Sequence, residues 1–203
     1  MKTVLLAGGL GTRLAELTDE IPKPMVKIGA MPMLWHIMKC YGRWGFEEFV
    51  VALGYKQDVV KSFFLNHHRL SQDLTIDIAS GSTRSHQTTA EPWTVHLMDT
   101  GAQTMTGGRV RRLRDFLGRE TFMLSYGDGV SDVDLRALLD FHRAHGRLAT
   151  VTAVRPPARF GSLTFDGDLV REFSEKKPQM DEGWINGGFM VMEPGGFDYI
   201  YDD

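Results

Sequence analysis

Apolar residues along the chain switch between two spacings. Thr3–Ala7 is a short apolar run stopped by Gly8-Gly9, which predicts a buried strand feeding a loop. In Leu34–Tyr41 the apolar positions Leu34, Ile37, Met38 and Tyr41 fall at helical spacing. Phe49–Leu53 is a second continuous run, ended by Gly54, and Val59, Val60, Phe63 and Phe64 mark a second helix. Strands are predicted over Thr75–Ala79, Thr94–Met98, Phe122–Tyr126 and Leu148–Val154. Val110, Leu113 and Leu117 share one helical face, and Leu135, Leu138, Leu139 and His142 another. Strands alternating with helices predict a parallel sheet covered on both faces.

The pattern changes near the end. Ser162–Phe165, Asp166-Gly167 and Leu169–Phe173 read as a hairpin, and Ile185–Met192 as a further strand. Residues 80–108 are polar and rich in Ser, Thr and Gly, which predicts a mostly looped insertion with one strand. The 203 residues fit one domain, 1–203.

A net charge of −3 gives no reason to expect nucleic acid or a membrane as partner. Cys40 is the single cysteine, which removes a disulfide framework and a Cys-based metal site. The first apolar run is too short for a signal-peptide core or a membrane span, so the expectation is a soluble cytoplasmic protein.

The chemistry concentrates in "LLAGGLGTRLAELTDEIPKPMVKIG", Leu5 to Gly29. A strand running into glycines lets backbone N–H groups approach an anion. A dinucleotide fingerprint fails, because Leu14 stands where the third glycine belongs and Leu53 leads into Gly54 without an acidic residue. A P-loop fails because Arg13-Leu14 occupies the Lys-Ser/Thr position. What remains is an arginine at the loop exit and Lys23 between Pro22 and Pro24. A guanidinium fork and a preorganised lysine suit a triphosphate and its departing pyrophosphate. The competing reading is a tight turn carrying two solvated cations.

Other segments carry similar alternatives. Asp128 follows a buried strand between Gly127 and Gly129, where a carboxylate can ligate Mg2+ or simply form a turn. Asn186, Gly187 and Gly188 interrupt an apolar strand, which fits either sugar contact or a bulge. Arg109, Arg111, Arg112 and Arg114 cannot all face one ligand at helical spacing. Asp99-Thr100-Gly101 has the form of an aspartic-protease motif, but such an enzyme needs two carboxylates sharing a proton and the α/β alternation opposes that fold. His142 and His145 lie three apart with no evident third ligand, and read as ordinary helix residues.

"LAGGLGTRL" followed by "PKPMVKIG" resembles the signature of the sugar-1-phosphate nucleotidyltransferases, with Gly8, Gly9, Gly11, Thr12, Arg13, Pro22, Lys23 and Pro24 in place. The resemblance continues through "LWHIMKCYGRWG", "EPWTVHLMDTGAQTMTGGRV", "YGDGVSD", "PPARFGSL", "SEKKP" and "INGGFMV", nearly the whole chain. The "EPW…DTG…MTGGR" block points to the cytidylyl-transferring branch of that family.

The resemblance implies a three-layer αβα sandwich, a Rossmann-like fold with a mostly parallel mixed sheet. It implies CTP and glucose 1-phosphate as substrates, Mg2+ as cofactor and a homo-oligomer. Relatives using dTTP or UTP, or one that binds nucleotide sugar without catalysis, are the alternatives. Arg13 and Lys23 become the catalytic cations, and Asp128 the metal ligand. Leu6, Ala7, Gly8, Gly9, Gly11, Thr12, Thr104, Arg109 and Gly127 fall on the nucleotide. Glu175, Lys176, Asn186 and Gly187 fall on the sugar phosphate, with Lys177 the second choice to Lys176. Family members continue past residue 203 to a second metal aspartate. The expectation is therefore a chain short of its C-terminal part, with low turnover and an exposed apolar patch.

Overall fold

The computed structural model describes residues 1–9, 21–86, 90–155, 162–174 and 184–201. Strand β1 (Lys2–Leu6) opens the chain, and a short β2–β3 hairpin (Lys27–Ile28, Met31–Pro32) leads into helix α1 (Met33–Gly42). Then come β4 (Glu48–Leu53), α2 (Gln57–Leu70), β5 (Asp73–Ile76), β6 (Thr83–His86) and β7 (Thr94–Asp99). Two short helices, α3 (Thr106–Arg112) and α4 (Arg114–Leu117), precede β8 (Phe122–Tyr126). The rest is α5 (Leu135–His145), β9 (Ala149–Val154), β10 (Ser162–Asp166), β11 (Leu169–Ser174) and β12 (Ile185–Met192), closed by a 3-10 turn at Pro194–Tyr199.

Six strands form one sheet in the order β7-β4-β1-β8-β12-β9. The first four are parallel to one another. Strand β12 is antiparallel to both β8 and β9. The earlier strands are joined through helical segments, which return the chain to the same sheet edge. No helix is described between β9 and β12, only the β10–β11 hairpin, and β12 enters in the reverse direction. The sheet is thus mixed and mostly parallel.

The alternation of side chains in each strand sends residues to two cores. Leu5, Phe49, Val51, Leu53, Met123 and Val191 pack with Leu34, Ile37, Met38 and Tyr41 of α1, Val60 of α2 and Leu135 and Leu139 of α5. Val4, Val50, Ala52, Phe122, Leu124 and Met190 pack with Val110, Leu113 and Leu117 of α3–α4 and with Phe197. Helices on both faces of one sheet make the expected αβα sandwich. Helix α5 has an explicit start: Asp134 accepts hydrogen bonds from the N–H groups of Arg136 and Ala137 at 3.0 and 2.9 Å.

Residues 80–108 depart from the sequence reading. The described part holds two strands and the start of a helix. Strand β6 pairs with β5 in an exposed hairpin. Trp93 ties the segment back, its ring 4.6 Å from Trp35 of α1. A polar, two-sided exposed hairpin lacks the apolar alternation that would reveal a strand. Among the described residues no helix is long and apolar enough to cross a membrane.

A directed hydrogen-bond chain pins α5 to the sheet. Arg147 N–H donates to His145 Nδ1 at 2.9 Å, so a neutral His145 ring carries its hydrogen on Nε2 and donates it to Thr150 Oγ1. The Thr150 hydroxyl then donates to His142 Nδ1 at 2.8 Å, and His142 Nε2–H donates to Glu193 Oε1 at 3.0 Å. Thr121 Oγ1–H donates to the same oxygen. The histidine pair is therefore structural.

Burial alone would raise the Glu193 carboxyl, but hydrogen bonds from Thr121 and His142 outweigh it and hold it below its ordinary value. A carboxyl depressed in the folded state stabilises at neutral pH, and that contribution is lost as pH falls through the folded value. Glu193→Gln should remove this step. The side chain is 37% exposed, so solvent screening limits the effect to about 0.5 kcal/mol. Urea unfolding at pH 7 and near pH 3 should show the wild-type advantage shrinking on acidification.

Candidate active site

In open parallel sheets ligands bind beyond the carboxyl ends of the strands. Strands β1, β4 and β7 all reach that edge and all stop within two residues at a glycine: Gly8, Gly54 and Gly101. One side chain bridges these ends, joining Thr100 N and Oγ1 on Leu53 O and Tyr55 N on Gly8 O. Arg109, only 4% exposed, donates from Nη1 to Leu53 O, Thr100 Oγ1 and Gly101 O at 3.1, 2.9 and 2.7 Å. From Nη2 it donates to Gly8 O at 2.7 Å and Ala102 O at 3.4 Å. A planar fork with five N–H donors suits carbonyls converging from three strands. The glycines are required by closeness: a methyl group at Gly8 would overlap the guanidinium and stand 2.9 Å from Gly54 N.

Sequence reading put Arg109 on the nucleotide. The structure places its guanidinium beneath the glycine loop, among backbone carbonyls. Three apolar runs each ending in glycine were the available signal for such a buried cation. Thr104, also expected on the nucleotide, is buried at 8% exposure behind the Gly101 turn. Asp99 accepts from Gln57 Nε2 at 2.8 Å and Gly101 N at 2.9 Å. The Gln57 hydrogen bond, then that of Gly101, hold its carboxyl below the ordinary value. Its partners are an amide and a backbone N–H, not a second carboxyl, which fits a strand-end cap rather than a protease dyad.

The other half of the site lies past β8. Gly127 N donates to Leu6 O at 2.9 Å, tying the β8 end to the β1 end. Gly127 is needed there, since a methyl group would sit 2.6 Å from Leu6 O and 3.1 Å from Pro24 Cγ. Pro24 belongs to a 3-10 turn, Lys23–Met25, whose Met25 N donates to Pro22 O at 2.8 Å. Pro22, Pro24 and Met25 are buried, while Lys23 points outward. The turn thus presents Lys23 Nζ to Asp128 Oδ2 at 2.5 Å.

Space remains beside these groups. Among the described residues, added methyl groups at Gly9 and Gly129 would meet no atom within 4 Å. Among the described residues no group of three or more His, Cys, Asp or Glu gathers around a metal position. One hard carboxylate in an open edge fits Mg2+, which takes one or two carboxylates and fills its other positions with phosphate oxygens and water. That a cation already sits on Asp128 shows that the position favours positive charge.

Leu6, Ala7, Gly8, Gly9, Lys23, Gly127 and Asp128 therefore converge on one edge. Gly11, Thr12, Arg13, Glu175, Lys176 and Lys177 lie outside the described residues. Asn186 and Gly187 sit on the antiparallel strand β12, at a register break between Asn186 and Met190 in its pairing with β9. Asn186 Oδ1 accepts from Gly188 N at 2.8 Å, and Asn186 Nδ2 donates to Tyr126 Oη at 3.3 Å. Gly187 packs on β9, where a methyl group would stand 2.8 Å from Val154 Cγ1. The bulge reading is observed, and Tyr126, which sequence reading did not single out, adds a 37% exposed ring next to Asn186.

If Arg109 braces the strand ends, Arg109→Met should destabilise the fold by about 2–5 kcal/mol, because it removes the buried charge-assisted hydrogen bonds that tie the ends of β1, β4 and β7 together. Arg109→Lys should recover part of that loss, since a point charge cannot serve carbonyls on both sides of the fork. Urea unfolding distinguishes this from a residue that only touches ligand, whose removal would leave stability unchanged.

Known proteins can now be set beside this geometry. The family described as nucleotidyl transferase matches residues 2–203. The chain is 48% identical over 204 residues to the glucose-1-phosphate cytidylyltransferase of Salmonella typhi, covering 100% of this chain and 79% of that protein. It is 42% identical over 203 residues to the "Probable glucose-1-phosphate cytidylyltransferase" of Bacillus subtilis (strain 168), with the same coverage. Among solved structures, HddC from Yersinia pseudotuberculosis superposes with a TM-score of 0.66 at 24% identity, covering 100% of this chain and 81% of that one. That likeness concerns the fold alone.

Proposed function

Because this chain belongs to the nucleotidyl transferase family, we propose that it transfers a cytidylyl group from CTP to glucose 1-phosphate, giving CDP-glucose and pyrophosphate. The observation that carries this reading is the placement of Lys23 and Asp128 together at the strand ends, next to the end of β1 that runs into Gly8 and Gly9. Near-half identity to a protein named for that reaction supports the choice of cytidine and glucose.

In this reaction a phosphate oxygen of the sugar phosphate bonds to the α-phosphorus of CTP. The bond from that phosphorus to the β-phosphate bridging oxygen breaks, and its electron pair leaves on pyrophosphate. A phosphate dianion needs no general base at neutral pH, so the protein's work is positioning and charge. Backbone from Leu6 to Gly9 presents N–H groups to the nucleotide. Arg13 and Lys23 meet the charge growing on the departing pyrophosphate. Lys176, next to Glu175, holds the attacking phosphate, and Asn186 faces sugar hydroxyls. Asp128 holds Mg2+, which when bound supplies Lewis-acid neutralisation of phosphate oxygens.

The same reading takes residues 1–203 as one catalytic domain with an insertion at 80–108, working in the cytoplasm as a homo-oligomer. Exposed Leu65 and Leu70 on α2, with Ile76 and Ile78 on the neighbouring hairpin, support association.

Pyrophosphate release with glucose 1-phosphate and each of CTP, UTP, dTTP and GTP tests the proposal. CTP should give the highest kcat/KM, and a higher value with any other nucleotide would overturn the assignment. Arg13→Ala should then lower kcat roughly 10²–10³-fold with folding intact, the scale of removing one preorganised donor. In the same assay Lys176→Ala should raise KM for the sugar phosphate more than for CTP, while Lys177→Ala does little. A reversed pattern would move the sugar-phosphate contact to Lys177.

A further inference from the structure

Resting on the metal role proposed for Asp128, we propose that Lys23 is the cation that holds this site until metal arrives, and that metal and nucleotide binding proceed by exchanging it. The geometry is a contact ion pair, Nζ to Oδ2 at 2.5 Å. Mg2+ on a carboxylate oxygen lies about 2 Å from it. An ammonium and a dication sharing that oxygen would repel at close range, so one must leave.

Lys23 can leave only by its side chain. Its backbone is fixed by buried Pro22 and Pro24 and by the Met25 N–H to Pro22 O bond of 2.8 Å. Pro24 in turn rests on Gly127, one residue before Asp128. Turn and strand end therefore stay together while the four-carbon stem swings. Side-chain exposures of 31% for Lys23 and 38% for Asp128 mean that water screens the pair and separation is inexpensive.

A triphosphate offers Lys23 a new anionic partner next to the loop. Each ligand then favours the arrangement the other needs: phosphate draws the ammonium off Asp128, and metal takes the freed carboxylate. Such mutual bias is coupling through a two-position side chain. In the empty chain the same lysine keeps the Asp128 carboxylate neutralised. Lys23 thus has a second role, as a competitor of the metal, besides its role toward pyrophosphate.

The test is metal binding without nucleotide. Mn2+, which shares the octahedral oxygen preference of Mg2+, is titrated into the full chain and the free ion is read by electron paramagnetic resonance. Lys23→Met should bind Mn2+ roughly 2- to 5-fold tighter than wild type, the range of a partly exposed ion pair. Lys23→Arg keeps the cation and should bind Mn2+ no tighter than wild type. Asp128→Asn should lose binding. A Lys23→Met chain that binds no tighter than wild type overturns the exchange while leaving the metal role of Asp128 standing. A Lys23→Arg chain as tight as Lys23→Met also overturns it, because the gain would not come from charge. Unchanged binding by Asp128→Asn removes the metal role itself, and the exchange with it.

Discussion

The ends of three parallel strands meet at a single buried guanidinium. Arg109 sits in the middle of α3, yet its partners belong to β1, β4 and β7 and the turns that follow them. A buried cation without partners is costly, and so is a buried carbonyl without a donor. Together they satisfy each other. The glycines Gly8, Gly54 and Gly101 follow from this, because the fork needs the volume their side chains would occupy. The shape of this strand-end edge is thus set in part by a guanidinium held among backbone carbonyls.

Much of the fold is legible in the sequence because both cores are filled by simple periodicities. Leu34, Ile37, Met38 and Tyr41 on α1 are all fully buried, as helical spacing implies. The continuous runs of β1, β4 and β8 are buried on both faces, as a central sheet requires. The β5–β6 hairpin was not legible as a pair, because exposed strands such as "TRSH" carry no apolar alternation. Of the site, the proline-flanked lysine and the strand-end aspartate were legible as chemistry. Their direct pairing across 105 residues was not, since it depends on how Pro24 packs on Gly127. Arg109 shows the converse. Its type and neighbours announce a ligand contact, while only the meeting of three strand ends shows the carbonyls it serves.

The glycine loop stands between two different constraints. On one side Gly8 O is held by Arg109 at 2.7 Å, and on the other Leu6 O is held by Gly127 N at 2.9 Å. Strand β1 lies between β4 and β8 in the sheet, so its end cannot shift toward either neighbour without breaking one of these bonds. Fixing the Leu6–Gly8 backbone in this way would lower the cost of binding a ligand there, because that backbone needs no further ordering. The carboxylate side follows a different logic. A phosphate and a dication bring opposite charges to the same small volume, and a rigid cation there would suit one and oppose the other. A lysine on a fixed turn meets both demands: its anchor keeps the distance to Asp128 short, and its flexible stem lets the charge follow the phosphate. An arginine at this position would hold the carboxylate by a two-point fork and give it up less readily. The division between a locked Arg109 and a movable Lys23 therefore follows from what each one faces: carbonyls that never leave in one case, and a ligand set that changes during turnover in the other.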